Sequence, residues 1–411
     1  MATQSQFRGA VDAAATALAG GLQTIAGMHR AIAAKPFAVL RLVPGLGVAS
    51  LPVRLIHDGV TGLVYAGLSG GLALLGGAAR LAAVGAPAEG EPSPASLGGL
   101  AVAALNGFAG DRLERERNPL AAGMSLRHQG RRVAPRREEL AAAYPVASPR
   151  VTLFVHGLAC NETLWWRHGE RHYGSRHVSH GSRLERDLGV TALYLRYNSG
   201  LPIAENGRRL ARLLDELAGE WPVPLEELVL VGHSMGGLVL RSAVHHGAAS
   251  PWVARVKHAF YLGSPHRGAP LEKAANAAAW LLARSDVTRP LAAVVNGRSR
   301  GIKDLRFGAL RDEDWEGVEV DALLEDRTAD LPLLEGANHY FIAATITRDR
   351  HHPLGVAVGD LLVRPASAFG RVSHTRFPLA RAHHVGAMNH LDLLNHPAVY
   401  EQMRRALSGV A

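Results

Sequence analysis

The chain has 411 residues, 47% of them apolar, and a net charge of +9 carried almost wholly by Arg, since Lys stands only at 35, 257, 273 and 303. That length predicts one large domain with an appendage, and the apolar share excludes a disordered chain. The arginines are scattered without an aromatic-basic stripe, so no nucleic-acid partner is expected, and the single Cys160 excludes an internal disulfide.

Residues 1–85 are rich in Ala and Gly and read as a helical N-terminal region. The opening stretch lacks a charged segment followed by a leucine-rich one, so no secretory leader is expected and the cytoplasm is the expected compartment. Gly59 to Ala79 carries no charge and is long enough to span a bilayer, but seven of its residues are Gly. A helix packed on protein is the preferred reading there, with peripheral membrane contact through residues 1–85 as the alternative. Residues 86–97, with "GEPSPAS", read as a mobile linker. The bridging segment 98–147 contains "MSLRHQGRRVAP", a hairpin candidate turning at Gln129-Gly130.

From 148 to 411 short apolar runs alternate with helical stretches. Strands are expected over 151–157, 190–197, 228–234, 258–264, 337–347 and 376–385, and helices over 205–221 and 235–247. Strands about 35 residues apart with helices between them imply βαβ units and a mostly parallel, doubly wound sheet with flanking helices. The segment from about 266 to 335 is too long for a simple crossover and is expected to form a helical cap. Within it the face Leu271, Ala275, Ala278 and Leu282 could line an acyl-chain cleft or pack on the sheet.

The stretch "LVLVGHSMGGLVLRSA", Leu228 to Ala243, places one serine between glycines at the expected strand-to-helix corner. Such a corner strains the backbone and is tolerated where neighbouring side chains are missing, as Gly232, Gly236 and Gly237 provide. It would lift the hydroxyl of Ser234 above a helix N-terminus; the plainer reading is an N-cap serine. A serine nucleophile needs an imidazole to take its proton and a carboxylate to orient that imidazole, in the order Ser, acid, His. Asp360, at a Gly-flanked turn, and His390, in the loop after the last strand, meet that order. Asp304 and Asp392 are rivals for the acid, and His383 and His384 for the base, though both histidines fall inside the last strand. The oxyanion donors would be the amides of Met235, after the nucleophile, and Leu158, after the first parallel strand.

The blocks "FVHGLACN", "GHSMGGLV", "LGSPHRGAPLE", "GDLLV" and "NHLDLLNHPAVY" together resemble the α/β-hydrolase superfamily. More narrowly they resemble bacterial triacylglycerol-lipase-like and GPI-inositol-deacylase-like serine esterases, over residues 148–411. The resemblance implies an α/β-hydrolase fold, with Ser234, Asp360 and His390 as the triad and Leu158 and Met235 as oxyanion donors. The implied activity is hydrolysis of an apolar carboxylic ester through an acyl-enzyme, which needs no cofactor or metal. Acyl transfer, thioester or amide cleavage would use the same residues, and a catalytically silent membrane-associated scaffold is the reading from another class. One departure stands out: many relatives carry Asp-Gly at the acid, where this chain has Asp360-Leu361.

Other residues invite a role. His168, His172, His177 and His180 cluster in sequence, but the interleaved arginines disfavour a cation, so no metal is expected. Trp165 and Trp166 read as core residues, with the lining of an acyl pocket as the alternative. Cys160 reads as a packing residue, and the side chain of His233 is expected to point away from its neighbour Ser234 into packing.

Overall fold

The computed structural model of the chain describes residues 94–284, 295–323, 331–369 and 381–409, together with Ala26, Ala292 and Thr328. The helices expected over 1–85, the uncharged stretch 59–79, most of the linker and parts of the expected cap lie outside these residues. The chain divides into two compact units, Met1–Ala104 and Leu105–Ala411. The second holds the sheet and every candidate site residue.

Eight strands form one sheet: β1 (Ser125–His128), β2 (Arg131–Val133), β3 (Arg150–Val155), β4 (Thr191–Arg196), β5 (Glu227–His233), β6 (Val256–Leu262), β7 (Asn338–Thr345) and β8 (Ala382–Gly386). Their order is β2-β1-β4-β3-β5-β6-β7-β8. β1 pairs antiparallel with both β2 and β4, and every pair from β4 to β8 is parallel. The β1–β2 turn places Gln129 at φ 50° and Gly130 at φ 79°, which matches the twist of a two-residue hairpin. This hairpin extends the sheet ahead of the first expected parallel strand.

β3 to β7 begin and end within a few residues of the expected runs, because strands buried on both faces read as near-continuous apolar runs. β8 is largely half-buried, and residues 376–380 of its expected run lie outside the described residues. In β3, Val151, Leu153 and Val155 belong to one core and Phe154 to the other; in β5, Leu228 and Leu230 oppose Val229 and Val231 in the same way. The first core is covered by the helices Ile203–Glu220 and Met235–His246, the second by His180–Leu188 and Pro397–Leu407. Each fully buried Leu or Val contributes about 1.5–3 kcal/mol. Ile203, Leu210, Leu214 and Leu217 line the buried face of the first of these helices. There Gly207 faces Ser242, where a Cβ would lie 2.2 Å from Oγ, so the two helices meet backbone against side chain.

The helix expected to offer Leu271, Ala275, Ala278 and Leu282 to a cleft or to the sheet buries a more polar side. The helix Pro270–Leu282 buries Glu272, Asn276 and Ala279, while Leu271 and Ala278 are exposed. The reason is ionic: Glu272 is paired with Arg298 at 2.7 Å and with the fully buried Arg306 at 3.3 Å. A buried carboxylate with two guanidinium partners holds the polar side inward, while Ala275 and Leu282 are half-buried.

The position of the site follows from topology. β3 has β4 on one side and β5 on the other, so the strand order reverses at β3. In open α/β sheets ligands bind in the crevice outside the carboxyl ends of the strands at such a switch point. The residues that follow those ends are His156-Gly157-Leu158 and Ser234.

Candidate active site

Ser234 sits where β5 meets the helix Met235–His246, with φ 54° and ψ −125°. For a residue with a Cβ that conformation costs of the order of 1–3 kcal/mol and persists only where the surroundings over-determine it. They do so here. The Ser234 amide donates to Leu262 O of β6 at 2.8 Å. A Cβ on Gly232 would lie 2.5 Å from Gly237 N, and one on Gly236 2.3 Å from Val155 O. The hydroxyl makes no capping bond to the helix and is half-buried at the rim. Ser234 therefore stands at the helix start without serving as its cap.

His390 opens a 3₁₀ turn, His390–Leu394, whose entry is capped by the Asn389 side chain. Its ring Nδ1 lies 2.7 Å from Asp360 Oδ2, and its amide donates to Asp360 O at 2.9 Å. The second oxygen, Asp360 Oδ1, accepts from the amides of Leu362 at 3.0 Å and Val363 at 2.8 Å. Both side chains are buried, at 4% and 1% exposure. With Nδ1–H donating to the carboxylate, Nε2 carries the lone pair; it is buried without a hydrogen-bond partner among the described residues. The structure brings Asp360 and His390 into direct contact, whereas the hydroxyl of Ser234 does not hydrogen-bond Nε2. Catalytic bonds of this kind are often open before substrate arrives.

Ser234 and His390 nonetheless share their surroundings. A Cβ on Gly263, the residue after Leu262, would lie 3.0 Å from His390 Cε1, and one on Gly157 would lie 2.9 Å from Ser234 Cβ. His233 spans the gap: its Nε2 lies 3.0 Å from His390 O and the two rings stand 4.7 Å apart. Burial, with the neighbouring His390 imidazole, pushes the His233 pKa well below its ordinary value, so the ring is neutral and Nε2–H donates to that carbonyl. The ring is buried against Trp165, in keeping with the expected packing, and makes this hydrogen bond in addition. No sequence pattern identifies a carbonyl partner 157 positions away.

The expected oxyanion donors follow the carboxyl ends of β3 and β5. Leu158 follows β3, just before Ala159 in a left-handed conformation at φ 57°. Met235 is the first residue of its helix, where amides have no intrahelical acceptor. Neither amide donates to a protein acceptor among the described residues. His156 beside them is no base: burial lowers its pKa to about 4, and it stacks on Tyr197 at 4.4 Å.

The rival residues are engaged elsewhere. Asp304 accepts from Ile203 N at 2.7 Å and Trp315 Nε1 at 2.8 Å, and burial raises its pKa to about 6. Asp392 faces His168 at 3.4 Å. His384 bonds Thr345 Oγ1 at 2.8 Å, and His383 lies with it inside β8. Trp165 is wholly buried and meets Phe154 edge-on. Burial pushes the Cys160 thiol up to about 12.

A parallel sheet in this order, with a strained serine after β5 and a carboxylate–imidazole pair beyond β7 and β8, defines the α/β-hydrolase fold. Residues 209–281 match a family model described as the PGAP1-like alpha/beta domain. The likeness to an α/β-hydrolase family expected from the sequence is found there. No curated protein matches the chain. Among solved structures, the mature lipase BlEst2 of Bacillus licheniformis is similar at 20% identity over 64% of this chain and 92% of that one, with a TM-score of 0.41. The phospholipase PlaB of Legionella pneumophila is similar at 15% identity over 54% and 46%, with a TM-score of 0.33. The ester-hydrolase EH1AB1 from the metagenome of Lake Arreo is similar at 12% identity over 64% and 74%, with a TM-score of 0.35.

Proposed function

We propose that the protein is a serine carboxylic-ester hydrolase acting on esters with an apolar acyl group. The observation that carries this reading is the buried Asp360–His390 pair at 2.7 Å, its Nε2 unpartnered, on the rim where Ser234 holds a strained conformation. Ser234 Oγ attacks the ester carbonyl while His390 Nε2 takes the hydroxyl proton. Asp360 holds Nδ1–H and stabilises the imidazolium that forms. The Leu158 and Met235 amides receive the oxyanion, each such donor being worth about 3 kcal/mol of transition-state stabilisation. His390 then protonates the leaving alcohol, and water activated by the same nitrogen hydrolyses the acyl-enzyme. No step requires a cofactor or metal.

A fluorophosphonate probe tests the nucleophile. It should label the parent chain and leave Ser234→Ala unlabelled; equal labelling of both would remove Ser234 from the mechanism.

A further inference from the structure

The acid turn carries an unusual surface. The short helix Pro353–Val358 turns its glycine inward: a Cβ on Gly355 would lie 2.0 Å from Thr347 Oγ1. Leu354 and Val356, on either side of that glycine, are each 51% exposed. Beyond it the chain closes a tight turn in which Asp360 N donates to Val363 O at 3.2 Å. The two tip positions are Leu361 and Leu362, at 52% and 43% exposure. Leu361 has φ 85°, a conformation that turns of this kind normally give to glycine. Here lies the physical content of the departure from Asp-Gly: the backbone keeps a glycine conformation and the chain places a leucine in it. That residue is strained and its side chain is in water, so nothing within the described fold rewards it.

Arg348, Arg350 and Arg364 are exposed on the same stretch, and none makes an ion pair among the described residues. An apolar tip on a stretch that carries three exposed arginines against one exposed carboxylate, Asp349, complements a surface that offers hydrocarbon behind negative charge. A second copy of the chain fits less well, because a two-fold contact would set these arginines against themselves.

We infer that the segment 354–362 is a docking tip that seats on an anionic lipid surface, with Leu361 and Leu362 entering the interface and Arg348, Arg350 and Arg364 at the headgroups. The tip adjoins Asp360, so docking would bring the crevice to lipid-borne ester; the docking itself needs no catalysis and stands apart from the hydrolase reading.

The experiment uses the full chain carrying Ser234→Ala, which removes turnover from the measurement. Val356→Cys is labelled with an NBD fluorophore; the native Cys160 is half-buried, with its thiol pushed up to about 12, and reacts poorly. Adding vesicles of phosphatidylcholine with phosphatidylglycerol should shift NBD emission to the blue, with a weaker response to phosphatidylcholine alone. Adding Leu361→Gly, which relieves the left-handed strain and should not lower the melting temperature, should weaken the vesicle affinity about tenfold, the scale for withdrawing one partly buried leucine. Emission that stays water-like while the protein sediments with vesicles would place binding elsewhere and overturn the proposal. So would a blue shift that grows with protein concentration without lipid, which would mark a second copy as the occupant. Failure of the fluorophosphonate test would leave both readouts intact.

Discussion

Two of the corners that hold a non-glycine residue at positive φ within the candidate site, Ser234 at 54° and Leu361 at 85°, are secured in opposite ways. The Ser234 corner is gripped by neighbours: Leu262 O from β6, and glycines whose Cβ atoms would collide with backbone. The Leu361 corner is exposed, and its conformation is held largely by the Asp360 carboxylate, which accepts the next two amides. Packing fixes the first corner, and hydrogen bonds local to the turn, two to the Asp360 carboxylate and one from Asp360 N to Val363 O, fix the second. Asp360 therefore does two things at once: it orients His390 and closes the turn that presents it.

The largest effect should come from separating those tasks. Asp360→Asn keeps the size of the side chain but can offer its amide to Nδ1 and so favour the wrong imidazole tautomer. Turnover of a chromogenic ester should fall about 10⁴-fold. Asp304→Asn should leave turnover within a few-fold while lowering the melting temperature, because Asp304 ties Ile203 N and Trp315 rather than the base. The reverse ranking in steady-state assays would move the acid to Asp304.

The packed corner breaks differently. Gly236→Ala would place a methyl 2.3 Å from Val155 O, where only backbone can yield. Its cost should reach about 3 kcal/mol, the upper range for overpacking, read as a drop in denaturation midpoint. Gly219→Ala is the control: nothing lies within 4 Å of its Cβ position near the end of the helix Ile203–Glu220, so it should stabilise by up to about 1 kcal/mol. Equal behaviour of the two would mean the serine corner is not held by packing.

How much of this is legible in the sequence depends on range. Strands buried on both faces announce themselves by composition, and the glycines around Ser234 report a close backbone approach that no side chain could share. The chain order Ser, acid, His admits Asp304 as well as Asp360, and it is Asp360 whose side chain meets His390 at 2.7 Å. What composition hides are choices made by distant partners. The inward face of the helix Pro270–Leu282 is decided by Arg298 and Arg306, which draw Glu272 under the surface. The bond from His233 to His390 O exists only because β5 brings the ring under a loop far along the chain. The positive φ at Leu361 is likewise invisible, since residues with a Cβ other than Asn and Asp seldom adopt it.

Acid should act on the base side through a second histidine. His180 Nε2 lies 3.2 Å from Leu393 O, so two histidines, His180 and His233, hold carbonyls of the turn His390–Leu394 from beneath. Burial lowers the His180 pKa from 6.5 to about 3, and those of His156 and His339 to about 4. In each case the unfolded chain binds more protons below pH 6.5 than the folded one. Their contribution to stability is therefore complete above pH 6.5 and is lost as pH falls towards the folded values, at about 1.4 kcal/mol per pH unit for each ring. Asp304 works in the other direction: with a folded value near 6 against 3.8, it adds stability as pH falls through that window, offsetting one ring. The net slope should still be destabilising between pH 6.5 and 4. His180→Gln keeps an N–H able to reach Leu393 O but cannot protonate, so its melting curve should fall less steeply with acid than the parent's, by about that one-ring slope. An unchanged slope, followed by circular dichroism across this range, would show that His180 does not enter the acid transition and that the turn under His390 is held by other contacts.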